Sequence, residues 1–402
     1  MPNVLVVGAQ WGDEGKGRVV DHLAADAVYA VRFGGGANAG HTLVVNGQKV
    51  VLHLIPAGAL RPGCRGLIGN GCVMSPASLR AELARLAAAG HPLDPARLGL
   101  SPRLHVVTPY HLALDRAEGA AVGTTGRGIG PCYADKVARR GLRLEVLLRG
   151  EAAPILAAQR HLVAALHPGL ELPAVEAVEA ELRADAEALA PFVTDVDLEL
   201  EAAVRCDAPI LFEGAQGALL DIDHGTYPFV TSSTTTAGGV ASGVGLWIDL
   251  HRRVGVTKAY STRVGHGPYP TEIEGPIGDQ IRTKGAEFGS TTGRPRRCGW
   301  IDLPALRQAA RLNGLTELAV TKIDVLADIP VLRVAVEHGP DGPVYVDLPG
   351  FGDVSAARAW EELPPAAQRY LQLIAEQVGV PVRIVSVGAE RAALMTLPEG
   401  TP

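Results

Sequence analysis

Val4-Leu5-Val6-Val7-Gly8-Ala9-Gln10-Trp11-Gly12-Asp13-Glu14-Gly15-Lys16-Gly17 reads as a short apolar strand, Val4–Gly8, running into a glycine-rich loop, with a helical stretch, Arg18–Ala27, behind it. Strand, glycine turn and helix in that order make a phosphate cradle. Glycines let backbone N–H groups approach an anion, the helix N-terminus adds a partial positive charge, and a lysine adds a whole one. Lys16 is that lysine. The loop departs from the Walker A pattern: six residues rather than four separate Gly8 from Gly15, and Gly17 replaces the Ser or Thr that would meet magnesium. It also carries two carboxylates, Asp13 and Glu14, which repel a phosphate unless a metal ion or a proton transfer employs them. A plain tight turn is the other reading of these glycines.

Further apolar runs recur between helical patterns: Val28–Phe33, Gly66–Asn70, Leu104–Val107, Pro209–Phe212, Val256–Tyr260, Glu317–Thr321 and Val382–Ser386. Pro76–Ala89 reads as a helix with Ser75 as N-cap, Pro76 in the first turn and Gly90 past the end. The alternation predicts an α/β fold: a large, mainly parallel twisted sheet flanked by helices, P-loop-NTPase-like, with helical and hairpin insertions. Asn46-Gly47 between two apolar runs is a two-residue hairpin signal. Residues 151–190, rich in Ala, Leu and Glu at helical spacing, predict a helical insertion of about 151–200, and Ala356–Val378 predicts another helix. With no internal repeat or low-complexity linker, residues 1–402 read as one elaborated α/β domain.

A chain of 402 residues buries roughly 75% of its unfolded surface, enough for one large core. Apolar residues make up 47% and aromatics 4%, so that core rests on Ala, Val, Leu and Ile. The net charge of -6 gives no general reason to expect nucleic acid or an anionic membrane as partner. No apolar run is long enough to span a bilayer and no basic-then-apolar leader opens the chain, which predicts a cytoplasmic protein. The five cysteines, odd in number and without CxxC spacing, argue against both disulfides and zinc.

Glycine-rich polar stretches cluster after the predicted strands, at Gly34–Thr42, Gly123–Gly130, Glu213–Gly217, Asp221–Ser233, Ser261–Thr271 and Gly289–Gly299. Open parallel sheets bind ligands beyond the carboxyl ends of their strands, so this distribution suits a wide composite site. In Gly34–Thr42, Asn38 and His41 supply polar groups, and a histidine titrating near neutrality serves as an acid or bridges a leaving oxygen. Thr321-Lys322-Ile323-Asp324 follows an apolar strand in the manner of the guanine-recognition element of GTP-binding proteins. Its carboxylate would accept from N1–H and the exocyclic amine of guanine, an edge adenine lacks, while the lysine stem lies along the base. Ser290–Arg297 packs three guanidiniums around a turn, which suits phosphate or carboxylate clamping. Taken singly, each motif keeps its bland alternative: a structural histidine, an aspartate cap at a helix start, a solvated basic loop.

Together the motifs resemble the adenylosuccinate synthetase family, GTP-dependent enzymes that join IMP and aspartate in AMP biosynthesis. The resemblance runs from Val4 to about Arg391 through QWGDEGKG (10–17), GGGANAGHT (34–42), GTTGRGIGP (123–131), DKVARRGLR (135–143), FEGAQG (212–217), DIDHGTYPFVTSS (221–233), STRVGHGPYPTE (261–272), TTGRPRR (291–297) and TKID (321–324). Their joint order is far more specific than any one of them. It departs from the family at Ser386–Arg391, where S-T-G-P-D-R is more familiar, at Pro295, often an arginine, and in a shortened 325–348 stretch.

The resemblance implies a reaction in which GTP phosphorylates O6 of IMP and aspartate then displaces that phosphate from C6. It implies that Asp13 removes the N1 proton of IMP and contacts Mg²⁺ together with the Gly40 carbonyl, that His41 meets the transferring phosphate, and that Lys16 and Gln216 complete the catalytic set. IMP would be held by Asn38, Thr125, Gln216, Thr231 and Arg294, with Arg139 reaching it from the partner subunit of a homodimer. Aspartate would sit against Val264, Thr292 and Arg294. GTP would be held by Gly12, Gly15, Lys16, Gly17, Gly40, Thr42, Arg296, Lys322, Asp324, Ser386 and Gly388. Two rivals are a GTP-dependent switch, which leaves Asp13, Gln216 and the 291–297 arginines without work, and another P-loop carboxylate–amine ligase, which an adenine-nucleotide preference would mark.

Overall fold

The computed structural model describes residues 3–38, 40–45, 48–119, 123–288, 293 and 295–401, with the side chains of Thr42, Val44, Val45 and Lys49 outside that description. A nine-stranded sheet forms its centre. In chain order its strands are β1 (Val4–Gly8), β2 (Tyr29–Arg32), β3 (Arg65–Ile68), β4 (Leu98–Leu100), β5 (Ile210–Glu213), β6 (Arg252–Lys258), β7 (Glu317–Thr321), β8 (Val382–Ser386) and β9 (Leu394–Thr396). Across the sheet they run β9-β8-β7-β6-β1-β5-β2-β3-β4, and every neighbouring pair is parallel except β8–β9.

Side chains alternate across a strand, so β1, buried along its whole length, feeds two cores. Leu5 and Val7 pack into one apolar cluster, Val4 and Val6 into the other. Full burial of such a side chain stabilises the fold by roughly 1.5–3 kcal/mol. Because β1 and its neighbours are parallel, their carboxyl ends lie along one edge, and the loops that follow them gather there. The chain leaves β1 toward β2–β4, returns to insert β5, then builds β6–β9 on the other side. The crevice at that reversal is where open α/β sheets bind ligands.

Several boundaries differ from the sequence expectation. The first helix is Lys16–Leu23 with a separate turn at Ala24–Asp26. Leu104–Val107 contributes only His105–Val106, which pairs with Val73–Met74 in a small separate sheet rather than in the main one. The helix expected over Ala356–Val378 begins at Pro365, since a proline pre-set for the first turn pushes the residue before it into an extended conformation. The shortened 325–348 stretch carries most of an antiparallel hairpin, Val331–Gly339 with Gly342–Pro349. The helix starting at Pro76 is capped by Ser75 as expected. The insertion contains helices Ala153–Leu166 and Val175–Leu189, the second packed on Pro76–Ala88. His41–Val45 pairs antiparallel with Gln48–Leu52, placing Val45 opposite Gln48; the turn residues Asn46 and Gly47 lie outside the described residues.

Candidate active site

The two carboxylates of the first loop have opposite environments. Glu14 is fully buried and accepts from Gln10 N–H (3.1 Å), Gly12 N–H (2.9 Å) and Lys16 Nζ (2.6 Å). It acts as the loop's internal anion. Asp13 keeps 31% of its side chain exposed, with Oδ2 2.8 Å from Arg296 Nη2. Gly12 (φ +84°), Asp13 (φ +60°) and Gly15 (φ +90°) all take left-handed backbone conformations, which the glycines adopt freely and an aspartate tolerates. Thr321 Oγ1 donates to the Glu14 carbonyl at 2.7 Å, so the strand that precedes Lys322 and Asp324 is fastened to the loop.

Lys16 opens the first helix, and Gly17 lies under His41: a Cβ on Gly17 would stand 2.8 Å from the His41 Cβ. His41 is buried, and its Nδ1 contacts the Glu213 carboxylate at the end of β5. Burial pushes the imidazole below its ordinary value, opposed by Glu213 and assisted by Arg32 and Lys16. For Glu213, burial alone would raise the carboxyl. His41, Arg32 and a 2.7 Å bond from Ala57 N–H outweigh it and hold the group below the usual range. Arg32, also fully buried, lies 3.6 Å from Glu213.

Gln216 (φ +51°) donates from Nε2 to Asn38 Oδ1 at 2.9 Å, and Asn38 Nδ2 reaches Thr231 Oγ1 at 3.5 Å. Gln216 Oε1 is buried and, among the described residues, meets no donor. Thr125 and Val264, the latter 49% exposed, occupy loops that approach each other, since a Cβ on Gly123 would lie 3.7 Å from the Gly265 Cα. Arg263 anchors the second loop from below with bonds to the His266, Pro268 and Phe229 carbonyls and to Thr226 Oγ1. Burial lowers its guanidinium to about 10.

Lys322 (φ +61°) donates from Nζ to the Gly285 carbonyl and to Glu287 Oε1, both at 2.7 Å. Asp324 Oδ1 is buried and unpartnered among the described residues, and burial raises this carboxyl against the pull of Lys322 and Arg18. Ser386 is fully buried, accepting at 2.7 Å from Arg18 Nη1, which also meets the Gly388 carbonyl. Arg139 (φ +62°) is exposed after helix Ile129–Val137, beside Val137, which is 80% exposed. Among the described residues no contact joins the Arg139 side chain to the cluster. Thr292, Arg294 and the Thr42 side chain lie outside the described residues. Arg296 N–H donates to the Glu287 carbonyl, and Phe288 pairs with Pro295, so the ends of that basic loop are held together.

One edge of the sheet thus gathers a phosphate loop, a buried His–Glu pair, an Asn–Gln–Thr cluster and an aspartate of guanine-reading type. Residues 5–395 match the family model described as adenylosuccinate synthetase. The chain belongs to the adenylosuccinate synthetase family. It is 49% identical over 434 residues to the adenylosuccinate synthetase of Myxococcus xanthus, covering 99% of each chain, and 48% identical to that of Desulforudis audaxviator, covering 99% and 98%. The fully ligated adenylosuccinate synthetase of Plasmodium falciparum superposes with a TM-score of 0.92 at 35% identity, covering 98% of this chain and 100% of that one. A cyanophage S-2L succinoaminodeoxyadenylate synthetase, at 23% identity and a TM-score of 0.66, shares the fold. As a member of the adenylosuccinate synthetase family, the chain is a GTP-dependent ligase that joins IMP and L-aspartate to form adenylosuccinate in purine biosynthesis. Membership removes the switch and the adenine-nucleotide ligase.

Sequence reading missed Glu14 as the loop's internal anion, Glu213 and Arg32 behind His41, and Arg18 under the Ser386 loop. Glu213 had a signal: a carboxylate closing an otherwise apolar strand is costly unless partnered.

Proposed function

We propose that Asp13, His41, Lys16 and Gln216 divide the chemistry of this ligase as follows. Asp13 takes the N1 proton of IMP, leaving O6 electron-rich enough to attack the γ-phosphorus of GTP. The new O6–P bond forms as the bond to the β-phosphate oxygen breaks, giving GDP and a 6-phosphoryl-IMP intermediate. The amine of aspartate then attacks C6, the C6–O6 bond breaks, and phosphate leaves as the amine loses its proton. His41, oriented by Glu213, donates a hydrogen bond to the transferring group, and Lys16 exchanges Glu14 for phosphate as charge develops. The observation that carries this reading is the outward carboxylate of Asp13 beside an inward, fully satisfied Glu14. A loop built only to bind phosphate has no use for the first.

IMP is held by Asn38, Gln216 and Thr231, already bonded to one another, with Thr125 and Arg294 and with Arg139 supplied by a second copy of the chain. A homodimer of this kind accords with an arginine and a valine left exposed at the end of one helix. Val264, Thr292 and Arg294 receive aspartate. Gly12, Gly15, Gly17, Gly40, Thr42, Arg296, Ser386 and Gly388 line the GTP phosphates and sugar, and Lys322 and Asp324 read guanine. Among the described residues no helix is long and apolar enough to cross a membrane, and the cysteines are free thiols, four of them buried. Both accord with a cytoplasmic enzyme.

Mg²⁺ fits the donor set. Asp13 offers a carboxylate and Gly40 a carbonyl, hard oxygen donors of the kind magnesium takes when it keeps waters and phosphate oxygens as its remaining ligands. The Arg296 guanidinium beside Asp13 marks a position that tolerates positive charge. When bound, the ion supplies charge neutralisation on the phosphoryl oxygens.

The test is ultraviolet absorbance, which distinguishes adenylosuccinate from IMP, with protein, Mg²⁺, IMP and aspartate and either GTP or ATP. A rise that needs GTP and is lost in Asp13→Asn supports the assignment; normal turnover by a folded, GTP-binding Asp13→Asn variant overturns it.

A further inference from the structure

Glu287 is fully buried and, among the described residues, its carboxylate collects four donors from three parts of the chain. Oε1 accepts from Tyr260 Oη (2.6 Å), Lys322 Nζ (2.7 Å) and Lys258 Nζ (2.8 Å), and Oε2 from Arg296 Nη1 (3.1 Å). The far edge of the same guanidinium, Nη2, holds Asp13 at 2.8 Å. Lys322 and Asp13 stand at opposite ends of the nucleotide site, and one buried carboxylate and one arginine join them. Three cations against two carboxylates leave the cluster with a formal surplus of one positive charge, which favours an incoming polyphosphate.

Lys322 is a non-glycine residue at φ +61°, a conformation that persists only when its surroundings over-determine it. Two bonds from Nζ fix that side chain, one to the Gly285 carbonyl and one to Glu287. Asp324, two residues on, takes its aim from the same turn. Lys258, with no exposed surface, has Glu287 as its ion-pair partner, and burial lowers it to about 8 against the pull of that carboxylate.

We infer that Glu287 is a positioning residue for guanine selection: it fixes Lys322, and with it the aim of Asp324, and through Arg296 ties the reading of the base to the placement of Asp13. The inference rests on the guanine and proton-transfer roles proposed above. A group that only filled the core would influence all ligands alike. One that aims the base-reading turn changes the preference among nucleotides.

The experiment compares kcat/KM for GTP with that for inosine triphosphate, which lacks the exocyclic amine, in Glu287→Gln, with IMP affinity measured by calorimetry. The expected result is a GTP-to-ITP ratio lowered at least about tenfold, chiefly through KM for GTP, with IMP affinity changed by less than about twofold. A ratio within about twofold of the parent, or equal losses for GTP and IMP, overturns the inference. Asp324→Asn serves as the control: if it leaves the guanine preference intact, the guanine reading itself fails, whatever Glu287 does. If Glu287→Gln does not fold, Tyr260→Phe, which removes one donor without changing charge or shape, decides. It should lower the ratio by about two- to fivefold, and an unchanged ratio overturns the inference.

Discussion

Gly17 lies against His41 so closely that a Cβ on the glycine would stand 2.8 Å from the histidine Cβ. This explains why the loop lacks the hydroxyl residue that follows the lysine in Walker A. A side chain there would displace the histidine. Gly17→Ala should therefore lower kcat by at least about tenfold and also lower the thermal midpoint, since a clash at the Cβ of a buried histidine is relieved only by moving His41 itself. Steady-state kinetics alongside a melting curve check this, and a variant with normal kcat would contradict the packing.

Asp13→Asn keeps the shape of the loop and removes the base. Turnover should fall by about 10²–10⁴-fold, the range for one proton-transfer group, with GTP affinity within a few-fold of the parent. Single-turnover kinetics and GTP titration separate the two.

Arg139 belongs in the argument only if two chains share a site. Mixing Arg139→Leu with Asp13→Asn gives mixed dimers in which one site has both native residues and the other neither. At equal concentrations about a quarter of the parent activity should return from two nearly inactive proteins. Dimers that form and recover nothing would exclude the shared site.

Among the described residues, the buried Oδ1 of Asp324 has no hydrogen-bond donor. Asp324→Asn should reduce the efficiency with GTP several hundred-fold, as expected for about two charge-assisted hydrogen bonds of ~1.5–3 kcal/mol each. The amide can donate to a carbonyl at C2, so xanthosine triphosphate should become the better substrate. Comparison of the two nucleotides under identical conditions tests this.

Acid should weaken the fold before it protonates ordinary carboxylates. Burial, helped by Lys136 and Arg143, lowers His105 to about 4, and burial moves His41 the same way. The unfolded chain, with histidines near pKa 6.5, then binds more protons than the native one. Stability present above about pH 6.5 is therefore lost as pH falls toward 4. Urea unfolding across that window should give a falling free energy, and His105→Leu should flatten the slope.

The sheet was legible because β1, β5, β7 and β8 are short runs dominated by Val, Leu, Ile and Ala without a strict alternation of polar residues, the pattern of strands buried on both faces. β4 is three residues with a glycine in the middle, too short to carry a period, and half of the 331–349 hairpin faces solvent. Motifs along the chain identified Asp13, Lys16, His41, Lys322 and Asp324 as candidates. The partners that hold them were illegible, since Glu213 meets His41 and Glu287 meets Arg296 and Lys322 only after distant strands align. Arg18 bonding to Ser386 spans most of the chain, and no local pattern announces such a pair.

Glu14, the buried anion of the first loop, bears on what the site ignores. With the Gln10 and Gly12 amides and one Lys16 N–H already bonded to Glu14, the loop holds its shape from within and offers less to a stray phosphate or sulfate. A ligand must draw Lys16 away from its internal carboxylate, and a small anion brings no second handhold with which to do so. A nucleotide whose base is also held through the proposed Lys322 and Asp324 contacts would. The loop thereby filters by length, admitting phosphates that arrive attached to something the rest of the site recognises.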